Sequence, residues 1–282
     1  MTPTNKIGTH ISIKESIIKA PSRAVEEGCE TFQCFTRPPQ GGPAPEISPE
    51  IAEKFKSELK KNKMDRFYIH APYFINLASL EPRIRYGSIS VLREELERGS
   101  VLGAKYLMTH LGSYKGRTEK EGLEKVIDGI KKVLDDYDGD TKFLIEMSAG
   151  SGDIMGDTID DIATIVTVTK SLNWFGGVCF DTCHSFAAGY NFVTIKDRDK
   201  MMTEFSDKVG IDALKLVHVN DSVYPLGSKK DRHEHIGKGE IGEEGLAILL
   251  KTKEFSQIDW IIETEGEGRQ KDIEILKKIR NS

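Results

Sequence analysis

Six short apolar runs in this chain each deliver a side chain that can hold a divalent metal. FYIH ends on His70, YLMTH on His110, FLIE on Glu146 and VCFD on Asp181, LVHVN carries His218, and WIIE ends on Glu263. His184 follows Asp181 by three residues in DTCH, and Asp231 and His233 stand together in DRH. Taken singly, each has an ordinary reading. A strand-end Asp is a common helix cap, and a lone His or Glu at a strand end is more often a structural hydrogen-bonder. Taken together they are harder to dismiss. Four carboxylates (Glu146, Asp181, Asp231, Glu263) converging in one pocket would repel each other, and divalent cations remove that cost. Five histidines and four carboxylates, with no thiolate needed, suit zinc, with manganese second. Nine ligands exceed what one ion takes and fit a cluster of two or three with a bridging carboxylate. Such adjacent ions stabilise both the attacking and the leaving oxygen of an in-line phosphoester displacement.

Side chains so far apart in sequence need a fold that gathers them. Eight apolar runs, most of them β-branched or aromatic, read as strands: residues 6–12 (KIGTHIS), 31–36 (TFQCFT), 67–72 (FYIHAP), 106–112 (YLMTHLG), 142–148 (KFLIEMS), 178–183 (VCFDTC), 215–220 (KLVHVN) and 260–263 (WIIE). Helical periodicity falls between them at 51–59, 88–102, 123–134, 159–168, 201–209 and 246–250, with a last amphipathic stretch at 273–279. Ser48 before Pro49 is an N-cap followed by a first-turn proline. Strand and helix alternating eight times predict an α/β protein with a (β/α)8 TIM barrel of the xylose-isomerase-like kind. A doubly wound open sheet is the alternative, but no GxGxxG turn follows the first strand. One domain over residues 1–282 is expected, since no linker or low-complexity tract interrupts the chain. All strand C-termini of a barrel open on one face, so sequence separation ceases to matter.

Composition narrows the setting. With 38% hydrophobic and 30% charged residues, the chain can bury a sizeable core. No run reaches the roughly 18 apolar residues of a membrane span, and MTPTNKIGTH lacks a signal pattern. Cys29, Cys34, Cys179 and Cys183 form no CxxC pair and read as reduced, buried thiols, so a cytoplasmic protein without a membrane partner is expected. A net charge of −5 weighs against a nucleic-acid partner. A cluster of two or three divalent ions would offset that charge.

The combined motifs are more specific than any single ligand pattern. IGTHIS, FYIHAPYFINLAS, YLMTHLGS, FLIEMSAGSG, GVCFDTCHSFAAGY, LVHVNDS, DRHEHIGKGEIG and WIIETE run from residue 7 to 264 and resemble the endonuclease IV family of zinc-dependent AP endonucleases. The resemblance implies a (β/α)8 barrel and a DNA-repair hydrolase acting on double-stranded DNA. It would cut the phosphodiester 5′ to abasic sites and trim blocked 3′ ends. It implies that His70 and His110 hold one zinc and that Glu146 bridges it to a second zinc, shared with Asp181, His218 and Glu263. His184, Asp231 and His233 would hold a third. The nucleophile would be a metal-bound hydroxide, with Glu146 as the catalytic residue that orients or deprotonates it, and manganese could replace zinc at one site. A monomer associated with nucleoid or nuclear DNA is expected. His10 and His235 match the family without being taken as ligands, and His10 reads as a barrel-bottom or outer-shell histidine.

The resemblance also bears on DNA contacts. Tyr73 and Phe74 match the family's Tyr-Leu pair, and an apolar wedge of this kind can hold a kinked duplex. Arg37, Lys115, Arg117, Lys229, Lys230, Arg232 and Lys238 cluster in expected rim loops, though solvated surface is the commoner fate of Lys and Arg. Of these, Arg37 and Arg232 are taken as DNA contacts, together with Gln40. One departure stands out. Where the family carries an Arg-Gln-Trp or similar triplet, residues 35–42 read FTRPPQGG, with Gln40 in the Arg position and Gly42 in the aromatic one. The rival enzyme reading is a sugar isomerase or epimerase of the same barrel superfamily, which needs one or two metals and leaves His184, Asp231 and His233 without a task. A metal-storing or DNA-binding scaffold is the non-enzymatic reading.

Overall fold

The computed structural model describes residues 5–282. The predicted barrel is present and closed. Its strands are β1 (Ile7–His10), β2 (Thr31–Cys34), β3 (Tyr68–His70), β4 (Tyr106–Thr109), β5 (Lys142–Glu146), β6 (Phe175–Asp181) and β7 (Leu214–His218). A two-residue antiparallel pair, β8 (Asp221–Ser222) and β9 (His233–Glu234), lies outside the barrel, and β10 (Trp260–Ile262) closes the ring between β7 and β1. All barrel pairs are parallel. Around them run α1 (Ala20–Glu26), α2 (Pro49–Lys61), α3 (Pro82–Leu102), α4 (Glu119–Leu134), α5 (Ile159–Thr169), α6 (Thr182–Ala188), α7 (Ile195–Lys208), α8 (Gly242–Leu250) and α9 (Arg269–Asn281).

Local chemistry explains most boundaries. Ser48 caps α2 as expected, its side chain accepting from Ile51 N at 3.3 Å. Thr118 and Glu121 form a reciprocal capping box that starts α4 before its first apolar residue. Two helices escape the sequence reading. α1 has seven residues with a proline near its start and small buried side chains, Ala20 and Ala24, too little for a periodic signal. α6 begins where a strand was expected to continue to residue 183. The strand stops at Asp181 because that carboxylate caps α6, accepting from His184 N at 2.7 Å, which places Cys183 in the helix.

Period-two alternation then fixes what faces inward. Tyr68, Tyr106, Met108, Leu144, Cys179, Leu216 and Ile261 form a separate buried cluster inside the barrel, while Ile69, Leu107, Ile145, Val178, Val217 and Ile262 pack outward under the helices. The opposite end of the barrel is tied by Asp259, which accepts from Lys6 N at 2.7 Å, from Arg66 Nε at 2.5 Å and from the Tyr68 hydroxyl. Among the described residues, no helix is long and apolar enough to cross a membrane.

Candidate metal centre

Two residues past six of the seven members of the inner apolar layer lies a polar one. Tyr68 leads to His70, Met108 to His110, Leu144 to Glu146, Cys179 to Asp181, Leu216 to His218 and Ile261 to Glu263. The same parity therefore aims all six into the C-terminal mouth, directly above the packed interior. The loop after β7 returns through β9 and adds Asp231 and His233, and the first turn of α6 adds His184.

Glu146 is the hub, and its carboxylate is buried. Oε2 lies 3.3 Å from His70 Nε2 and 3.2 Å from His110 Nε2. Oε1 lies 2.9 Å from His218 Nδ1 and 3.4 Å from His184 Nδ1. His218 Nδ1 is also 3.1 Å from Glu263 Oε2 and 3.9 Å from Asp181 Oδ2. A third cluster joins His184 Nε2 to Asp231 Oδ1 at 3.2 Å and to His233 Nε2 at 3.3 Å, with His233 and Asp231 3.4 Å apart. The ligand atoms thus fall into three groups: His70–His110–Glu146, Glu146–Asp181–His218–Glu263 and His184–Asp231–His233.

These separations test whether metal fits. Zinc bonds of about 2.0–2.1 Å in a tetrahedron put neighbouring ligand atoms roughly 3.3–3.4 Å apart. Most of the spacings above are close to that edge. Glu146 Oε2 has no hydrogen-bond partner among the described residues, although it is buried. An orphaned carboxylate oxygen between two imidazoles is unfavourable unless a cation joins them. Cys183 falls within reach of Asp181 and His233 as well, and in the metal-free protein burial pushes its thiol up to about 12, so it is neutral there.

Protons balance the charges in the metal-free state. Burial alone would raise the Glu146 carboxyl, yet the neighbouring His110 and His218 hold it well below the usual range. Glu263 is likewise opposed by burial and held well below the usual range, chiefly by His218. Burial also opposes ionisation of Asp231, but His184 holds it down at about 2. Burial would lower His184, and Asp181 and Asp231 lift it well above its ordinary value. His218 is raised in the same way. Cys179, Glu263 and Glu146 oppose its burial, and the carboxylates supply the charge, since burial pushes the Cys179 thiol itself up to about 12 and leaves it neutral. A cation entering such a site displaces protons from histidine rather than meeting bare negative charge.

Two buried amides absent from the sequence-derived site join the cluster. Asn220 donates to Asp181 Oδ2 at 2.7 Å and accepts from Glu263 N at 2.8 Å, and Gln33 donates to Glu263 Oε1 at 2.7 Å. Their signal was parity. Gln33 lies between Phe32 and Cys34, which face outward, so it must face in. Of the two readings of His10, the outer-shell one holds: the ring meets Gln33 Nε2 at 3.1 Å and His10 belongs to none of the three groups. It is the last residue of β1 and stands at the mouth against Phe35, with ring centroids 4.3 Å apart, not at the barrel bottom. Burial pushes its pKa down to about 3, so it stays neutral. His235 sits apart from the three groups, bonded to Asp272 at 2.6 Å.

The rim residues divide. Tyr73 and Phe74 project at the mouth, 64% and 39% exposed, and Tyr73 N donates to Pro39 O at 3.0 Å, tying their loop to the 37–42 loop. Gln40 and Arg232 are exposed. Gly41 and Gly42 have φ of +118° and +111°, a region that resists any larger side chain, so this backbone could not hold an aromatic at 42 without strain. Arg37 contradicts the expectation of a phosphate contact. It is 5% exposed, its Nε donates to buried Glu95 Oε1 at 2.6 Å, and Nη2 is ion-paired with Glu94 Oε2 at 2.8 Å. The guanidinium is spent inside the protein, where no phosphate reaches it.

Residues 21–279 match the family described as xylose isomerase-like TIM barrel. The chain is 38% identical to a probable endonuclease 4 of Carboxydothermus hydrogenoformans over 97% of this chain and 96% of that one. It is also 38% identical to a probable endonuclease 4 of Nitrosopumilus maritimus, over 98% and 99%. The crystal structure of endonuclease IV from Thermus thermophilus superposes with a TM-score of 0.84 at 30% identity, covering 98% of both chains. A D-tagatose 3-epimerase-like protein superposes at 0.73 with 21% identity over 98% and 97%, a likeness of fold alone. On this sequence and structural kinship, the chain is a member of the endonuclease IV family.

Proposed function

We propose that this protein is a DNA-repair endonuclease that hydrolyses the phosphodiester 5′ to abasic sites in duplex DNA and trims blocked 3′ ends, using three zinc ions. The observation that carries this reading is the three-group arrangement about Glu146, with ligand spacings near a tetrahedral zinc edge. His70 and His110 would hold the first ion, Asp181, His218 and Glu263 the second, and His184, Asp231 and His233 the third, with Glu146 bridging the first two. Zinc so held supplies Lewis acidity towards the phosphate and makes water a stronger nucleophile at neutral pH.

The chain's own residues do the rest. Glu146, with one oxygen towards each of two groups, is placed to orient the attacking water and take its proton. Asn220 and the cap of α6 hold Asp181 so that its two oxygens face different partners, Oδ1 towards His184 N and Oδ2 towards Asn220. Tyr73 and Phe74 supply an exposed aromatic pair to fill the space that a missing base leaves, and Gln40 and Arg232 lie on the same rim. His184, Asp231 and His233 would be redundant in a sugar epimerase with one or two metals, which favours the nuclease.

Nicking of depurinated plasmid tests the proposal. Zinc-loaded protein should convert depurinated supercoiled DNA to the open circle, spare untreated plasmid and lose this activity on chelation. A protein that instead turns over a ketose and leaves the plasmid intact is an epimerase.

A further inference from the structure

Gln33 is fully buried in β2, a strand that contributes none of the nine proposed ligands. Its amide nevertheless touches three side chains of the site. Nε2 lies 2.7 Å from Glu263 Oε1 and 3.1 Å from His10 Nδ1, and Oε1 lies 2.8 Å from His218 Nε2. Hydrogen-bond direction settles the orientation. An ionised carboxylate can only accept, so the NH2 end must face Glu263, and the carbonyl end must face His218. Turning the amide over would set two acceptors 2.7 Å apart. A carbonyl also only accepts, so His218 Nε2 carries a proton. His218 is then free to present Nδ1, the atom that lies 2.9 Å from Glu146 Oε1 and 3.1 Å from Glu263 Oε2.

We propose that Gln33 is a positioning residue of the metal centre, locking His218 in its Nε2–H form and steering Glu263 so that both offer ligand atoms to one ion. This rests on the metal-centre reading above and deepens it. A ligand histidine commonly has its outer nitrogen fixed by an acceptor, and here one amide performs that task while also directing a ligand carboxylate. An apolar residue of similar shape would leave His218 Nε2 and Glu263 Oε1 without this partner in a buried site.

Two measurements test it. In zinc-loaded wild-type protein labelled with ¹⁵N-histidine, two-bond correlations should show His218 protonated at Nε2 and not at Nδ1. An Nδ1–H form overturns the proposal without any variant. In chelator competition, Gln33→Met should lose about 10- to 100-fold in affinity for one zinc while the other two are retained, with kcat falling more than KM rises. Gln33→Glu restores the acceptor for His218 but repels Glu263, so it should keep the Nε2–H signature and still bind that zinc poorly. A Gln33→Met protein with wild-type zinc affinity refutes this inference alone. Wild-type protein that holds no zinc refutes the metal-centre reading, and this inference with it.

Discussion

Replacing Arg37 with Met should destabilise the protein and leave its salt-dependent grip on DNA unchanged. Arg37 pairs with Glu95, which is fully buried and also accepts from Thr36 Oγ1 at 2.6 Å. Arg98 continues the network, donating to Thr36 Oγ1 at 2.7 Å and Thr36 O at 2.6 Å, and through Nη1 to Pro45 O at 2.8 Å. The rim loop after β2 is thereby fastened to α3. Removing one partner of a buried pair costs about 3–5 kcal/mol, because the other charge stays buried. Glu95 would keep Thr36 and a 3.6 Å approach from Arg98, which favours the lower end, about 3 kcal/mol. Unfolding entropy of about 2.1 cal/mol/K per residue over 282 residues gives roughly 590 cal/mol/K, so Tm should fall by about 5 °C. Thermal melting, with duplex affinity measured at two salt concentrations, checks both halves. Glu95→Leu combined with Arg37→Met should recover part of the loss, since no charge is then stranded. The reasoning is refuted if Tm moves by less than about 1 °C while the slope of log K against log salt drops by about 0.9, the signature of one lost phosphate contact.

The remaining predictions concern the site. Purified protein should carry close to three zinc ions by elemental analysis, and His184→Ala should empty one site while leaving the other two, whereas one ion or none in the wild type would sink the trinuclear reading. Glu146→Gln should lower turnover on abasic duplex at least ~10²-fold, the scale of lost general-base catalysis, with duplex binding largely kept. Near-normal single-turnover rates would remove Glu146 from the chemistry. Phe74→Ala should weaken binding to abasic duplex by about 1–3 kcal/mol, the scale of one base-aromatic stack, and Gln40→Ala should cost less. A Gln40→Ala effect larger than that of Phe74→Ala, seen only with abasic duplex, would show that the glycine-flanked loop still inserts.

The barrel and the gathering of six of the nine side chains at its mouth are legible in sequence because both follow from short-range regularities. An apolar strand ending in a polar residue announces itself locally, and parallel closure does the assembling. Gln33 and Asn220 are silent in the sequence because amides carry no charge, although parity turns both inward. The burial of Arg37 is hidden in the sequence for a different reason. A basic residue in a Pro/Gly-rich loop looks solvated, and its partners, Glu94 and Glu95, lie in the middle of α3, more than fifty positions away. Only the packing of that helix under the loop shows the pair. Asp181 shows that two competing local readings can both hold, since one oxygen caps α6 and the other faces the site.

Asp231 and His233 differ from the other candidate ligands in lying on the return segment outside the barrel, the first just before β9 and the second at its start, so something must hold that segment. Asp221, fully buried just after Asn220, supplies the anchor. Its two oxygens accept from the backbone amides of Ser222 at 2.8 Å, of Gly237, Gly239 and Ile241 at 3.0 Å, and of Gly242 at 3.2–3.3 Å. The return segment is therefore wrapped around a single carboxylate. The wrap requires glycine at 239, where a Cβ would stand 2.6 Å from Asp221 Oδ1 and 2.3 Å from Ser222 O. The β8–β9 pair crosses the base of the same loop and sets His233 opposite Ser222. HVND and GKGEIG are thus two halves of one device. The first provides the acceptor, the second the ring of amides, and between them DRH is carried back over the mouth to meet His184. The third ligand group depends on this closure as much as on its own three side chains.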